Sequence, residues 1–189
     1  ILASMVANGL GLLVTPVFNY IFPRLSILNE LQKPNVTRVF FHQSVQATAV
    51  IILPMAGLLI TFPSEVVEFW MKDPDAPRNT ATIIRFLVIG VALNALMSPT
   101  FALQTSHGLT HLAFKIVLTF FITMIPITIW ASINFGAIGA AGVWAGLNLI
   151  YVIIGVPLTH SFLLLGETTK WYTQDVLPPL SGICIVYLS

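Results

Sequence analysis

Ser4, Asn8, Gly11, Thr15 and Asn19 follow one another at intervals of four, three, four and four residues. On an α-helix that spacing gathers amides and hydroxyls into one continuous stripe. Further stripes recur along the chain. They are Gln43 and Gln46 with Pro54; Asn94, Ser98, Phe101 and Thr105; Lys115, Thr119, Thr123, Pro126 and Trp130; and Trp144, Asn148, Gly155 and Thr159. The chemistry open to such groups is hydrogen bonding and ring stacking rather than bond making. The chain has no GxxxxGK[ST] loop, no HExxH, no CxxC and no Ser/His/Asp constellation, so it reads as a transport protein rather than an enzyme, with no cofactor. Two roles are open to the stripes. Ser, Thr and Asn commonly bridge packed membrane helices; alternatively, the set lines a polar lumen. Stripes in five segments together favour the lumen, and a lining of amides, hydroxyls and tryptophans suits a large hydroxylated solute such as a sugar better than a small ion.

Charges are scarce within these segments. Arg85 falls about one turn inside its segment and reads first as a side chain snorkelling to the interface, with contact to an anionic headgroup as the functional alternative. Lys115, His111 and His107 stand together where a diphosphate could be received, although Lys115 is equally explained as a membrane anchor. His42 and His160 read as interfacial residues rather than proton relays.

The elements that must position these residues follow from composition. Of 189 residues, 57% are hydrophobic and 8% charged, and mean hydropathy is +0.92. A soluble domain carries about 25% charged residues, so this chain could not cover a water-facing surface. A net charge of +1 offers no basic field for nucleic acid. The one cysteine, Cys184, has no intrachain partner. Apolar runs long enough to cross a bilayer, about 20 helical residues each, fall at 1–21, 45–62, 81–103, 112–132 and 139–164, with a sixth starting after Pro179. The fold expected is an all-α, polytopic transmembrane bundle of about six spans in one domain over 1–189. The start at Ile1 and the end inside "SGICIVYLS" read as those of a piece of a longer protein.

Each full span carries a proline: Pro16, Pro54, Pro99, Pro126 and Pro157. Such residues bend helices and suggest a bundle curved round a cavity. Gly139, Gly142 and Gly146 in "GAIGAAGVWAG" allow close helix approach. "FPRLS" is expected to close the first span, and Ser64 to cap a short helix with Glu65 in its first turn and Phe69 and Trp70 at the interface. Alternating loops put Arg24, Lys33, Arg38, Lys115 and Lys170 on one side, five of the eight basic residues. Lys72, Arg78 and Arg85 fall towards the other, among Glu65, Glu68, Asp73 and Asp75. The excess of positive charge assigns the first side to the cytoplasm.

The blocks "FNYIFPRLSIL", "QSVQATAVIILPMAGLLITFPSEVVEFW", "LVIGVALNALMSPTFALQTSHGLTHL" and "GAIGAAGVWAGLNLIYV" together resemble the polysaccharide biosynthesis family. These are the Wzx-type flippases of the multidrug/oligosaccharidyl-lipid/polysaccharide exporter superfamily. The resemblance covers essentially the whole chain and corresponds to the C-terminal part of such a protein. It implies two pseudo-symmetric helical bundles round a central cavity in the cell inner membrane. It implies movement of an undecaprenyl-diphosphate-linked oligosaccharide to the periplasmic leaflet, coupled to ions rather than ATP, for O-antigen or capsule synthesis. Membrane lipids and the polymerase and chain-length proteins of the same pathway are the partners it implies. The residues expected along the substrate path are Asn8, Thr15, Asn19, Gln46, Arg85, Asn94, Ser98, Lys115, Thr123, Trp130, Trp144 and Asn148. "LQTSHG" departs from the pattern, which expects smaller or apolar residues there. Two alternatives stand beside this: a drug/cation antiporter or lipid II flippase of the same superfamily, or a membrane-embedded polysaccharide polymerase or transferase. The first would be expected to hold an acidic residue inside a span; the second would need a larger loop than any present.

Overall fold

The computed structural model describes residues 2–71 and 78–188, and every element in it is helical. Lys72, Asp73 and Asp75 lie outside the described residues, as do the side chains of Phe69, Trp70, Arg78 and Cys184.

The chain opens with α1 (Leu2–Leu12) and α2 (Val14–Glu30). The break at Leu13 lies three residues before Pro16, whose ring collides with the carbonyl of the preceding turn. There the ladder tightens, the Leu13 amide donating to the Leu10 carbonyl at 3.2 Å. The same device separates α5 (Arg78–Leu96) from α6 (Ser98–Ser106) ahead of Pro99, with the Met97 amide on the Asn94 carbonyl at 3.1 Å. Between them lie α3 (Pro34–Thr61) and the short α4 (Pro63–Met71). The two bends are small enough that each broken pair still runs as one long helix.

The first span does not end at "FPRLS". Pro23 and Arg24 lie inside α2, which runs on to Glu30. Arg24 is no terminal anchor: its guanidinium lies 5.1 Å over the Phe40 ring, pinning α2 to α3. The second span begins at Pro34 rather than Val45, because Pro34 supplies a preset first helical residue. Ser64 falls within the first turn of α4 rather than before it.

The long element α7 (Thr110–Leu163) doubles back on itself. A straight helix of 54 residues would be about 80 Å long, yet the rings of Phe120 and Tyr151 lie 5.5 Å apart. The reversal is at Gly136, whose φ of 62° and ψ of −147° only glycine adopts without strain. Gly139 lets the arms meet, since a Cβ there would run into the backbone of Ala131. Gly142 and Gly146 have open space beside them and make no such contact within this chain. The expected fourth and fifth spans are thus two arms of one hairpin.

After Gly166 the chain is helical from Thr168, well before the expected start of a sixth span after Pro179. The stretch consists of α8 (Thr168–Lys170), a π-helical segment (Trp171–Val176) and α9 (Leu177–Leu188).

Among the described residues four helices are long and apolar enough to cross a membrane: Ala3–Glu30, Pro34–Thr61, Thr80–Ser106 and Val117–Leu163. The 168–188 stretch is not one of them. Exposed Phe114, Phe121, Ile122, Ile133, Ile153 and Phe162 give the bundle an apolar exterior. That is the surface of a membrane protein. Inside, one apolar cluster gathers Phe41, Leu103, Val156 and Trp171, and a second gathers Val6, Ile52, Ile84 and Val88. Helix α3 contributes to both and packs against α2, α5, α6, the π-helical segment and α9.

Candidate functional site

A groove runs along the bundle with α5 and α6 as its floor. Helices α1 and α2 pack on one side of that floor and the α7 hairpin on the other. Its upper end is lined by Ser4, Thr80, Ala137 and Trp144, its middle by Asn94, Phe120, Asn148 and Tyr151, and its lower end by Thr15, Phe18, Ser98 and Phe101. From Thr80 to Phe101 the floor extends about 30 Å, close to the thickness of a bilayer core. Members of the polar stripes on three segments therefore share one depression: Ser4, Gly11 and Thr15; Asn94, Ser98 and Phe101; Trp144 and Asn148. The α7 wall carries Phe120, Phe121, Trp144 and Tyr151 among alanines and aliphatic residues.

Within it, Asn94 donates to the Asn148 amide oxygen at 3.0 Å, and Asn148 donates to the Trp144 carbonyl at 2.8 Å. Asn148 is buried and its amide is consumed by this bridge between α5 and α7. Asn94 remains exposed to the groove. The Trp144 indole lies directly on Gly90, where a Cβ would collide with it. Asn8 is exposed on the groove-facing stripe of α1, between Ser4 and Gly11, and Asn19 is exposed one turn beyond Thr15.

The remaining expected residues go elsewhere. The α7 arm presents Val117, Phe120, Phe121 and Met124 to the groove. Lys115 lies about half a turn round the same arm and Thr123 and Trp130 about a third of a turn; all three are exposed and none lines the groove. A threonine can stand there because its hydroxyl bonds back into its own helix: Thr123 donates to the Thr119 carbonyl at 2.8 Å. Trp130 packs against Phe135 beside the Gly136 reversal. Arg85 donates from Nε to the Ile60 carbonyl at 3.0 Å, capping the C-terminal end of α3.

Gln46 belongs to a different site. Its Nε2 donates to Asp175 Oδ1 at 2.8 Å. Asp175 is fully buried and bonded through Oδ2 to His42 Nδ1. His42 Nε2 stands 3.1 Å from Glu167 Oε2. Arg38 Nε lies 3.2 Å from Glu167 Oε1, and Lys170 Nζ 3.7 Å from Glu167 Oε2. His160, 1% exposed, packs its ring edge-on to Phe41 next to His42, and both its ring nitrogens are buried without a hydrogen-bond partner. His42 and His160 are thus buried inside the bundle. Nearby, Gln104 donates to the Thr159 hydroxyl, while its own Oε1 and the Thr100 hydroxyl are buried unpaired. Residue spacing gave no signal for this cluster, because α3 and the 167–176 segment lie more than a hundred residues apart.

Lys33, Arg38 and His107 border one hollow at the end of the bundle, and Lys170 joins them through Glu167. The basic residues of the first and fifth connections therefore share one end. Comparison with family models, curated proteins and solved structures finds no match to this chain.

Proposed function

We propose that the chain forms one side of a path by which a lipid-linked oligosaccharide crosses the cytoplasmic membrane, the activity implied by its resemblance to Wzx-type flippases. The observation that carries this reading is the groove itself. It is of bilayer length, and in a largely apolar lining it sets the hydroxyls of Ser4, Thr15, Thr80 and Ser98 and the Asn94 amide opposite Phe120, Phe121, Trp144 and Tyr151 of α7. Sugar hydroxyls are matched by Ser4, Thr15, Asn94 and Ser98, and sugar C–H faces by Phe18, Phe120, Trp144 and Tyr151. In this reading the protein is a six-span bundle, with the two α7 arms and the 168–188 stretch each crossing the membrane. Lys33, Arg38 and Lys170 lie on the cytoplasmic side, where a diphosphate enters. Polymerase and chain-length proteins of the same pathway are the proposed partners.

The test is export of the repeat unit, read as surface polysaccharide against membrane abundance. Asn94→Ala and Ser98→Ala with Trp144→Ala should lower export at unchanged abundance. Normal export from that triple variant sinks the reading. Orientation is read separately: Glu68→Cys should label with an impermeant thiol reagent from outside and Asn35→Cys should not, in a Cys184→Ser background.

A drug/cation antiporter of the same superfamily is the second reading, favoured by buried Asp175, the kind of acid that such a protein is expected to hold. Retention of a cationic dye by cells, changed by Asp175→Asn while polysaccharide export is untouched, would select it.

A further inference from the structure

His42 is held by two carboxylates at once. Nδ1 faces Asp175 Oδ2, and Nε2 faces Glu167 Oε2 at 3.1 Å. A neutral imidazole carries one N–H and can donate through one nitrogen only. Two ring nitrogens, each within reach of a carboxylate oxygen, require a further proton, on the ring or on a carboxylate. The cluster therefore holds one proton more than a neutral imidazole and two carboxylates would. Geometry alone fixes that count.

Charge gives the same answer. Arg38 and Lys170 both sit on Glu167, the less deeply buried carboxylate. Asp175 is 0% exposed, and besides His42 its bonded partner is the neutral Gln46 amide. From α2, Arg24 is turned to Phe40 instead. From α7, His160 adds a second buried imidazole, and from α6 comes only the neutral Gln104. With the proton gone, Asp175 would be a buried carboxylate among neutral groups, a state that disfavours the packing that buries it. Asp175 lies in the π-helical segment Trp171–Val176, a widened turn of the kind found at functional sites.

We propose that His42, Asp175 and Glu167 form an internal proton-binding site whose occupancy latches the 167–176 segment onto α3. Bound proton lets His42 bridge both acids and closes the latch; its loss leaves Asp175 without a counter-charge and opens it. Above the free imidazole value of about 6.5 the docked form binds one proton more than the undocked form, so docking is flat below that pH and weakens as pH rises above it. The latch is independent of what the groove carries.

Hydrogen–deuterium exchange on the purified chain in detergent tests this, from about pH 5.5 to about pH 8.5, corrected for intrinsic exchange. In the wild type, protection of amides 171–176 should fall by about tenfold per pH unit over the releasing limb. Asp175→Asn should flatten that profile, because its amide can pair with a neutral imidazole. His42→Gln should lose protection throughout, and His42→Gln with Asp175→Asn should regain it, flat with pH. Arg38→Ala, which touches only Glu167, should keep the pH dependence. A flat wild-type profile overturns the proposal. So does an Asp175→Asn chain that still responds to pH, or a double variant no better protected than His42→Gln. Should His42→Gln fail to fold, wild type against Asp175→Asn decides alone.

Discussion

The groove and the ion cluster place polar groups in the same apolar chain by opposite means. Groove residues are neutral, and Asn148 satisfies itself in part locally, donating to the Trp144 carbonyl within one turn. In the cluster His42 and Asp175 are buried and find their partners on other elements, while Glu167 also has Lys170 three residues along the chain. His42 must recruit Asp175 from 133 residues away and Glu167 from 125. Neutral hydrogen-bonding groups tolerate partial exposure, whereas a buried charge demands a partner from another element. One region is therefore built helix by helix, and the other only when the fold closes.

Replacing His42 should break that contrast most severely. His42→Leu leaves Asp175 buried with no counter-charge and should destabilise the chain by about 3–5 kcal/mol. Thermal denaturation in detergent would register it. Adding Asp175→Leu should recover most of the loss, since an apolar pair of similar volume replaces an ion pair at little cost. Recovery by less than half would mean that the cluster is not organised round this pair.

The groove responds more mildly, and through shape. A methyl at Gly90 meets the Trp144 indole, so Gly90→Ala should cost about 1–3 kcal/mol and shift the tryptophan emission. Gly142→Ala has nothing within 4 Å to collide with and should be neutral or slightly stabilising. Equal effects at the two glycines would mean that Trp144 does not rest on α5. Smaller still is the amide bridge. Asn94→Ala and Asn148→Ala should each cost about 1 kcal/mol, with a coupling near 0.6 kcal/mol in the double variant.

What the sequence made legible divides along the same line. Stripes on α1, α2, α5, α6 and the second α7 arm were readable because a 3.6-residue period survives the bends at Leu13 and Met97. The proline count was readable too, but not which prolines bend: Pro23, Pro54, Pro126 and Pro157 lie within helices, while Pro16 and Pro99 sit just past breaks. The hairpin was legible as two spans, its pivot at Gly136 less so, because the neighbouring glycines look alike in sequence and only one carries a positive φ. Asp175 was invisible as an interior acid. Its position was read as a polar turn ahead of Pro179, and what buries it is the docking of Trp171–Val176 on α3. The stripe of Lys115, Thr119, Thr123 and Trp130 misled for a definite reason: threonine on a helix can satisfy its hydroxyl without leaving the helix.

The smallest energetic effect separates the two kinds of threonine most cleanly. Thr15 and Thr123 are both exposed, both helical and both part of a regular stripe. Thr15 lines the groove between Val14 and Phe18, whereas Thr123, one turn on from Phe120 at the margin of the lining face of its arm, does not line it and returns its hydroxyl to Thr119. Cysteine at either position should change stability by no more than about 0.5 kcal/mol, because neither site is packed. Reactivity should differ where energy does not. In a Cys184→Ser background in membranes, Thr15→Cys should react with a small charged thiol reagent, which needs water to form thiolate, and Thr123→Cys should react far more slowly. Groove-filling detergent sugar should slow Thr15→Cys and leave Thr123→Cys unchanged. If the two react alike, the stripe on the first α7 arm also faces water, and the polar path is wider than the groove.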